Sequence, residues 1–156
     1  MAEDFYPVMT TEDLYKVPVK HLVEENGHMY LWITNAFILE GMLLMKHWGF
    51  VQKTMITWVK SKMGTGWHFR GQTEHMLFGV RGSQPIVPAA RAPTVFYAKT
   101  GKHSAKPRKA YEIIEHVSPG PRIELFARKR RRGWDSWGND ARNPDPALEK
   151  DMAREI

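Results

Sequence analysis

The sequence contains no cysteine in 156 residues. That excludes disulfide scaffolds, cysteine-ligated zinc, iron–sulfur clusters and thiol nucleophiles. No apolar run approaches the ~20 residues of a membrane-spanning helix, so a helical membrane protein is excluded. The opening Met1-Ala2-Glu3-Asp4 is acidic and lacks the apolar core of a secretory signal, so a cytoplasmic location is expected. Three active-site patterns are also absent: His-Glu-x-x-His, Gly-x-x-x-x-Gly-Lys-Ser/Thr and Gly-x-Ser-x-Gly. Zincin, P-loop and hydrolase-elbow chemistry therefore have no support. The seven histidines form no pair with metal spacing and a third ligand nearby, so no metal site is expected.

What is present is a basic, core-forming chain. Hydrophobic residues make up 42% and the net charge is +6, too apolar for a disordered chain. The length suits one domain. The positive charge gathers late: residues 99–142 hold twelve Lys/Arg against five Asp/Glu, densest at Arg128-Lys129-Arg130-Arg131-Arg132. Such a run binds polyanions by counterion release, or simply solvates a loop; both readings stay open on charge alone. Six tryptophans could stack on planar ligands or pack a core, and core packing is the default.

Patterning predicts the elements. Thr10-Thr11 should cap a helix over 12–23 that Pro18 breaks. Residues 28–34 read as an apolar strand, 36–48 as a helix stopped by Gly49, and 53–60 as a second strand. A glycine-bearing loop follows over 61–71, then a third strand over 74–81 closed by Gly82. Thr94 to Ala98 can form a short strand. Pro107 to Val117 should be a helix with Tyr111, Ile114 and Val117 on one face, stopped by Ser118-Pro119-Gly120-Pro121. Arg122 to Arg128 reads as another strand. Strand–helix–strand thus occurs over 28–60 and 94–128, which predicts a mostly parallel sheet covered by helices. The short link between 53–60 and 74–81 would also allow an antiparallel pair. Open sheets of this kind bind ligands beyond the carboxyl ends of strands, which singles out Thr34-Asn35, Lys60 and the residues from Arg128 onward. Residues 1–140 are expected to form a single domain and 141–156 a charged tail.

A set of local motifs in fixed order says more. These are Leu31-Trp32-Ile33-Thr34-Asn35, Trp48-Gly49-Phe50, Thr57-Trp58-Val59-Lys60 and Thr73-Glu74-His75-Met76-Leu77-Phe78-Gly79-Val80-Arg81-Gly82. Then come His103-Ser104-Ala105-Lys106-Pro107, Ile113-Ile114-Glu115, Ser118-Pro119-Gly120, Ile123-Glu124-Leu125-Phe126-Ala127-Arg128 and Gly133-Trp134-Asp135-Ser136-Trp137-Gly138-Asn139. The series, from Tyr6 to Asp140, closely resembles the MT-A70 family of S-adenosylmethionine-dependent adenine N6-methyltransferases.

The resemblance implies an α/β, Rossmann-like methyltransferase fold in circularly permuted order, with the catalytic strand first and the cofactor-binding elements late. It assigns Tyr6, Trp58, Glu74, Ser104 and Lys106 to the substrate side. It assigns Lys106, Phe126, Arg128, Arg130, Asn139 and Asp140 to the cofactor side, with Arg130 standing where some relatives use His. Asn139 and Asp140 match the pair that holds the cofactor's ribose. The residue types suit those roles, because the cofactor needs an aromatic wall for its adenine and polar side chains for two ribose hydroxyls. The residue types alone are equally those of a core strand residue at Phe126, a turn at Asn139-Asp140 and a surface lysine at Lys106.

One departure matters. The family signature Asp-Pro-Pro-Trp does not occur; Asn143-Pro144-Asp145-Pro146 lies at the wrong end and continues into Ala147. In relatives the signature lies upstream of the segment matched here by Tyr6-Pro7-Val8-Met9, so the motif and its strand are expected to be missing from the N-terminus. Its Asp and the carbonyl between the prolines would accept hydrogen bonds from adenine N6 and localise a delocalised lone pair, while the aromatic stacks on the base. With no catalytic residue assigned, the chain is expected to bind S-adenosylmethionine weakly without turnover. The expected partner is nucleic acid, DNA ahead of RNA because the motif spacing is compact, with a homo- or heterodimer possible. The alternative function is a non-catalytic nucleic-acid-binding subunit of the same family.

Overall fold

A computed structural model describes residues 9–102 and 105–138. The chain divides into two compact units, Met1–Ser118 and Pro119–Ile156.

In the first unit, Thr10 caps α1 (Thr11–Lys16) by accepting from the Asp13 amide. Pro18 separates α1 from the short α2 (Val19–Leu22), as its ring requires. Strand β1 (Gly27–Ile33) leads through a 3-10 turn (Asn35–Phe37) into α3 (Ile38–His47). Gly49, at φ +89, ends that helix and feeds β2 (Val51–Lys60). Then follow β3 (Thr73–Arg81), β4 (Val95–Ala98) and α4 (Arg108–Val117), whose N-cap is Pro107.

The sheet order is β1-β3-β2-β4. Strand β3 runs antiparallel to both β1 and β2, and β2 and β4 form the parallel pair of this sheet among the described residues. The expected mostly parallel sheet is therefore corrected to a mixed, largely antiparallel one. The crossover through α3 does make β1 and β2 point the same way, but a helical crossover fixes direction and not adjacency. β3 enters between them, through the short link that allowed an antiparallel pair. β3 is one of the two inner strands, and over Glu74, His75, Met76 and Leu77 it is buried on both faces.

The two faces differ. α3 packs on the side of Ile33 and Leu77, with Gly41 and Met45 at the contact. On the other side, His28 and Tyr30 of β1 bring Nδ1 and OH to 2.7 Å and 2.8 Å from Oγ of Ser118, which follows α4. That anchors the end of α4 over the face that also carries Trp32, since residues two apart on a strand share a face.

In the second unit, β5 (Ile123–Leu125) pairs in parallel with β6 (Asp135–Trp137). The strand expected over 122–128 is shorter, because Phe126 adopts φ +59 and turns the backbone out of the extended region. β6 was not expected from the sequence. A Cβ at Gly138 would lie 2.5 Å from the backbone of Ala127, so the return to β5 passes where only glycine fits.

Candidate active site

Alternation on three strands builds one cluster. Trp58 lies opposite Glu74, and Ile56 and Trp32 both lie opposite Met76, so Trp32, Trp58 and Glu74 share a face. Lys60, two residues beyond Trp58, falls on that face as well. The indoles of Trp32 and Trp58 meet edge to face with centroids 6.1 Å apart. Trp58 is fixed from behind, its Nε1 donating to the Ala98 carbonyl at 2.9 Å.

Glu74 is the charged centre. Lys60 Nζ donates to Oε2 at 3.0 Å, and Lys106 Nζ donates to Oε1 from the segment that enters α4. Each ammonium also lies against an indole: Lys60 is 5.1 Å from the Trp58 centroid and Lys106 is 4.8 Å from that of Trp32. Two cations thus share one buried carboxylate. The surplus positive charge faces an aromatic wall, where cation–π attraction offsets part of the lost hydration. Lys60 also lines an open hollow of about 300 Å³ with Val59, Ser61, Tyr97, Ala98 and Lys99. That hollow sits at the carboxyl ends of the parallel pair β2 and β4, where an open sheet offers ligands space.

The opposite face of the same β3 segment holds a polar relay. His75 is buried, with Nδ1 2.9 Å from Thr57 Oγ1 and Nε2 2.6 Å from Asn35 Oδ1. An amide oxygen only accepts, so Nε2 carries the proton and Nδ1 accepts from the Thr57 hydroxyl. Burial pushes the His75 pKa below the ordinary imidazole value of 6.5, and the neighbouring Glu74 charge opposes that only in part.

Of the residues expected in a site, Trp58, Glu74 and Lys106 come together. Sequence reasoning left out Trp32 and did not assign Lys60 a contact, although the spacing 58, 60 on a strand already placed Lys60 beside Trp58. In the second unit Phe126 does not behave as a core strand residue: it is exposed, with its ring edge-on to Trp137 at 5.4 Å. Arg128 and Arg130 follow it, half-buried and exposed respectively. Tyr6, Ser104, Asn139 and Asp140 lie outside the described residues, as does the 141–156 tail. Among the described residues no group of three metal-ligating side chains occurs, and no helix is long and apolar enough to cross a membrane.

The family model of MT-A70 matches residues 3–140. The chain belongs to the MT-A70 family. The relatives agree with that membership. The chain is 30% identical over 154 residues to Type II methyltransferase M.MunI of Mycoplasma sp, covering 97% of this chain and 65% of that protein. It is 28% identical to the N(6)-adenosine-methyltransferase catalytic subunit METTL3 of Homo sapiens, over 86% of this chain and 25% of METTL3. It is 30% identical to the MT-A70-like N(6)-adenosine-methyltransferase of Arabidopsis thaliana, over 86% of this chain and 21% of that protein. The chain therefore spans just under two thirds of the first relative and about a quarter or less of the other two.

Proposed function

We propose that this MT-A70 chain supplies the substrate-side and cofactor-side framework of an S-adenosylmethionine-dependent adenine N6-methyltransferase acting on DNA. The observation that carries the reading is the Glu74 cluster, in which one buried carboxylate, two lysines and two indoles converge on one sheet face. S-adenosylmethionine fits that chemistry: it carries a carboxylate, ribose hydroxyls and a flat adenine, and the cluster offers ammonium donors, a carboxylate acceptor and aromatic edges. When bound, the cofactor supplies a methyl group on a sulfonium.

In this reading Lys106 donates toward the cofactor or the substrate base, and Glu74 holds Lys106 in place. Trp32 and Trp58 give the planar base an apolar wall and keep water from it. Phe126, Arg128 and Arg130 are the cofactor-side candidates of the second unit, with Asn139 and Asp140 holding the ribose. The outer edge of β1 has no strand among the described residues. It is the proposed place for a strand that carries Asp-Pro-Pro-Trp in a permuted, Rossmann-like order. Support for DNA over RNA is the compact motif spacing, together with the similarity to Type II methyltransferase M.MunI over 97% of this chain.

The test is incubation with methyl-labelled S-adenosylmethionine and adenine-containing DNA or RNA. The present 156 residues are compared with a version extended at the N-terminus by a strand bearing Asp-Pro-Pro-Trp. The expected result is cofactor binding by both, with methylated DNA adenine only from the extended chain. Asn139→Ala should weaken binding by about 0.5–1.5 kcal/mol through loss of one hydrogen bond. Absence of calorimetric binding by both folded proteins would overturn the reading. Oligonucleotide binding without any cofactor binding would instead favour the non-catalytic subunit.

A further inference from the structure

The loop between β2 and β3 presents two aromatic side chains to water. Trp67 is 101% exposed and Phe69 is 93% exposed. Rings of that size are normally covered, and an exposed pair on one short loop marks a contact surface.

The loop has a defined shape. Its feet are tied by the Lys60 amide donating to the Gln72 carbonyl at 2.8 Å and by the Gln72 side chain donating to the Lys60 carbonyl at 3.2 Å. Higher up, the Gly64 amide donates to the Gly71 carbonyl at 2.6 Å, and Arg70 Nε donates to the Gly64 carbonyl at 3.0 Å. At the tip the chain turns so tightly that a Cβ on Gly66 would overlap the Phe69 carbonyl oxygen. The turn therefore requires glycine, and between Gly66 and Arg70 it displays Trp67, His68 and Phe69.

The charge around the rings has one sign. Residues 59–73 include Lys60, Lys62 and Arg70 with His68, and no Asp or Glu. The loop also leaves the sheet at Lys60 and returns at Thr73, the neighbour of Glu74, so its feet stand at the candidate site. A partner that reaches these rings has a negative charge and flat apolar faces.

We propose that the 61–72 loop is a stacking arm for unpaired DNA bases, with Trp67 and Phe69 against successive base faces and Lys62 and Arg70 along the phosphates. This rests on the DNA reading above and extends it. Adenine N6 is engaged in pairing within a duplex, so a base presented to the site has to leave the stack. That exposes base faces beside the site, where aromatic stacking tolerates any sequence.

The experiment measures binding of fluorescent oligonucleotides by anisotropy, using a single-stranded DNA, the same sequence as a duplex, and its RNA counterpart. The proteins are the full chain, Trp67→Ala, Phe69→Ala, and the double variant. Because both rings lie in water, the variants should melt at the wild-type temperature. Single-stranded DNA affinity should fall about tenfold for each single substitution and further for the pair, with duplex affinity changing less. Indole fluorescence quenched by single-stranded DNA in the wild type should be reduced in Trp67→Phe, which keeps the stacking face. Unchanged single-stranded affinity in the double variant would overturn the proposal, as would no binding by the wild type. Tighter RNA than DNA binding through the same residues would overturn the DNA assignment. Loss of self-association in the double variant at unchanged DNA affinity would make the arm a protein interface instead. Cofactor calorimetry, run in parallel, reports separately on the methyltransferase reading.

Discussion

Lys106 donates to Glu74 Oε1 across a sequence separation of 32 residues, joining the entry of α4 to strand β3. Glu74 is 7% exposed, and Lys60 holds its other oxygen. Removing the carboxylate leaves two ammonium groups facing each other with no counter-charge between them. Glu74→Gln should therefore cost roughly 1–3 kcal/mol, below the ~3–5 kcal/mol of a fully buried pair because both lysines keep part of their hydration. Lys106→Met should cost less, since Lys60 still pairs the carboxylate. A double-mutant cycle by urea unfolding checks both. Additive losses would mean that the two side chains meet without coupling.

The cluster shows what a linear sequence carries and what it does not. Alternation along β2 puts positions 58 and 60 on one face and was legible residue by residue. The resemblance carried by the ordered motifs marks Trp58, Glu74 and Lys106 as site residues. What could not be read was the pairing of Trp58 with Glu74 and of Trp32 with Met76, because register between strands far apart in sequence has no local signature. The same blindness produced the parallel-sheet expectation: two strand–helix–strand units look alike whether or not a third strand enters between them. β6 escaped because Asp135-Ser136-Trp137 is too short to show a period and is flanked by Gly133 and Gly138. The break in β5 at Phe126 was hidden for another reason: a positive φ at a phenylalanine runs against local preference and is imposed by its surroundings.

His75 predicts an acid-side loss of stability. Its folded pKa is lowered from 6.5, chiefly by burial, so between that value and the lower folded one the unfolded chain binds more protons. The contribution is fully present above pH 6.5 and is lost as pH falls through the folded pKa. Protonation would also place a second donor at Nδ1, where the Thr57 hydroxyl now donates, and the hydroxyl would have to rotate. Urea midpoints should therefore fall as pH drops below 6.5, and part of that slope should vanish in His75→Gln. If His75→Gln keeps the full wild-type slope, another titrating group causes it.

Gly41 offers a test in which the usual sign is reversed. In an exposed helix interior, Gly→Ala gains about 1 kcal/mol, because alanine loses less backbone entropy on folding. Gly41 lies inside α3 but faces the sheet, and a Cβ there would stand 2.5 Å from Ile33 Cγ2 and 3.2 Å from Leu77 Cδ1. Neither neighbour has room to yield easily: Ile33 and Leu77 are 7% and 0% exposed, and Ile33 is stiff at χ1. Either α3 moves outward or a side chain leaves its rotamer, at about 1–3 kcal/mol. Gly41→Ala should therefore be net destabilising by up to about 2 kcal/mol after the helix gain is subtracted. Combined with Ile33→Ala, which deletes the opposing methyl, the same substitution should become less harmful than it is alone. Thermal unfolding of the two single variants and the pair measures this. A stabilised Gly41→Ala would show that α3 does not pack on the sheet through this contact.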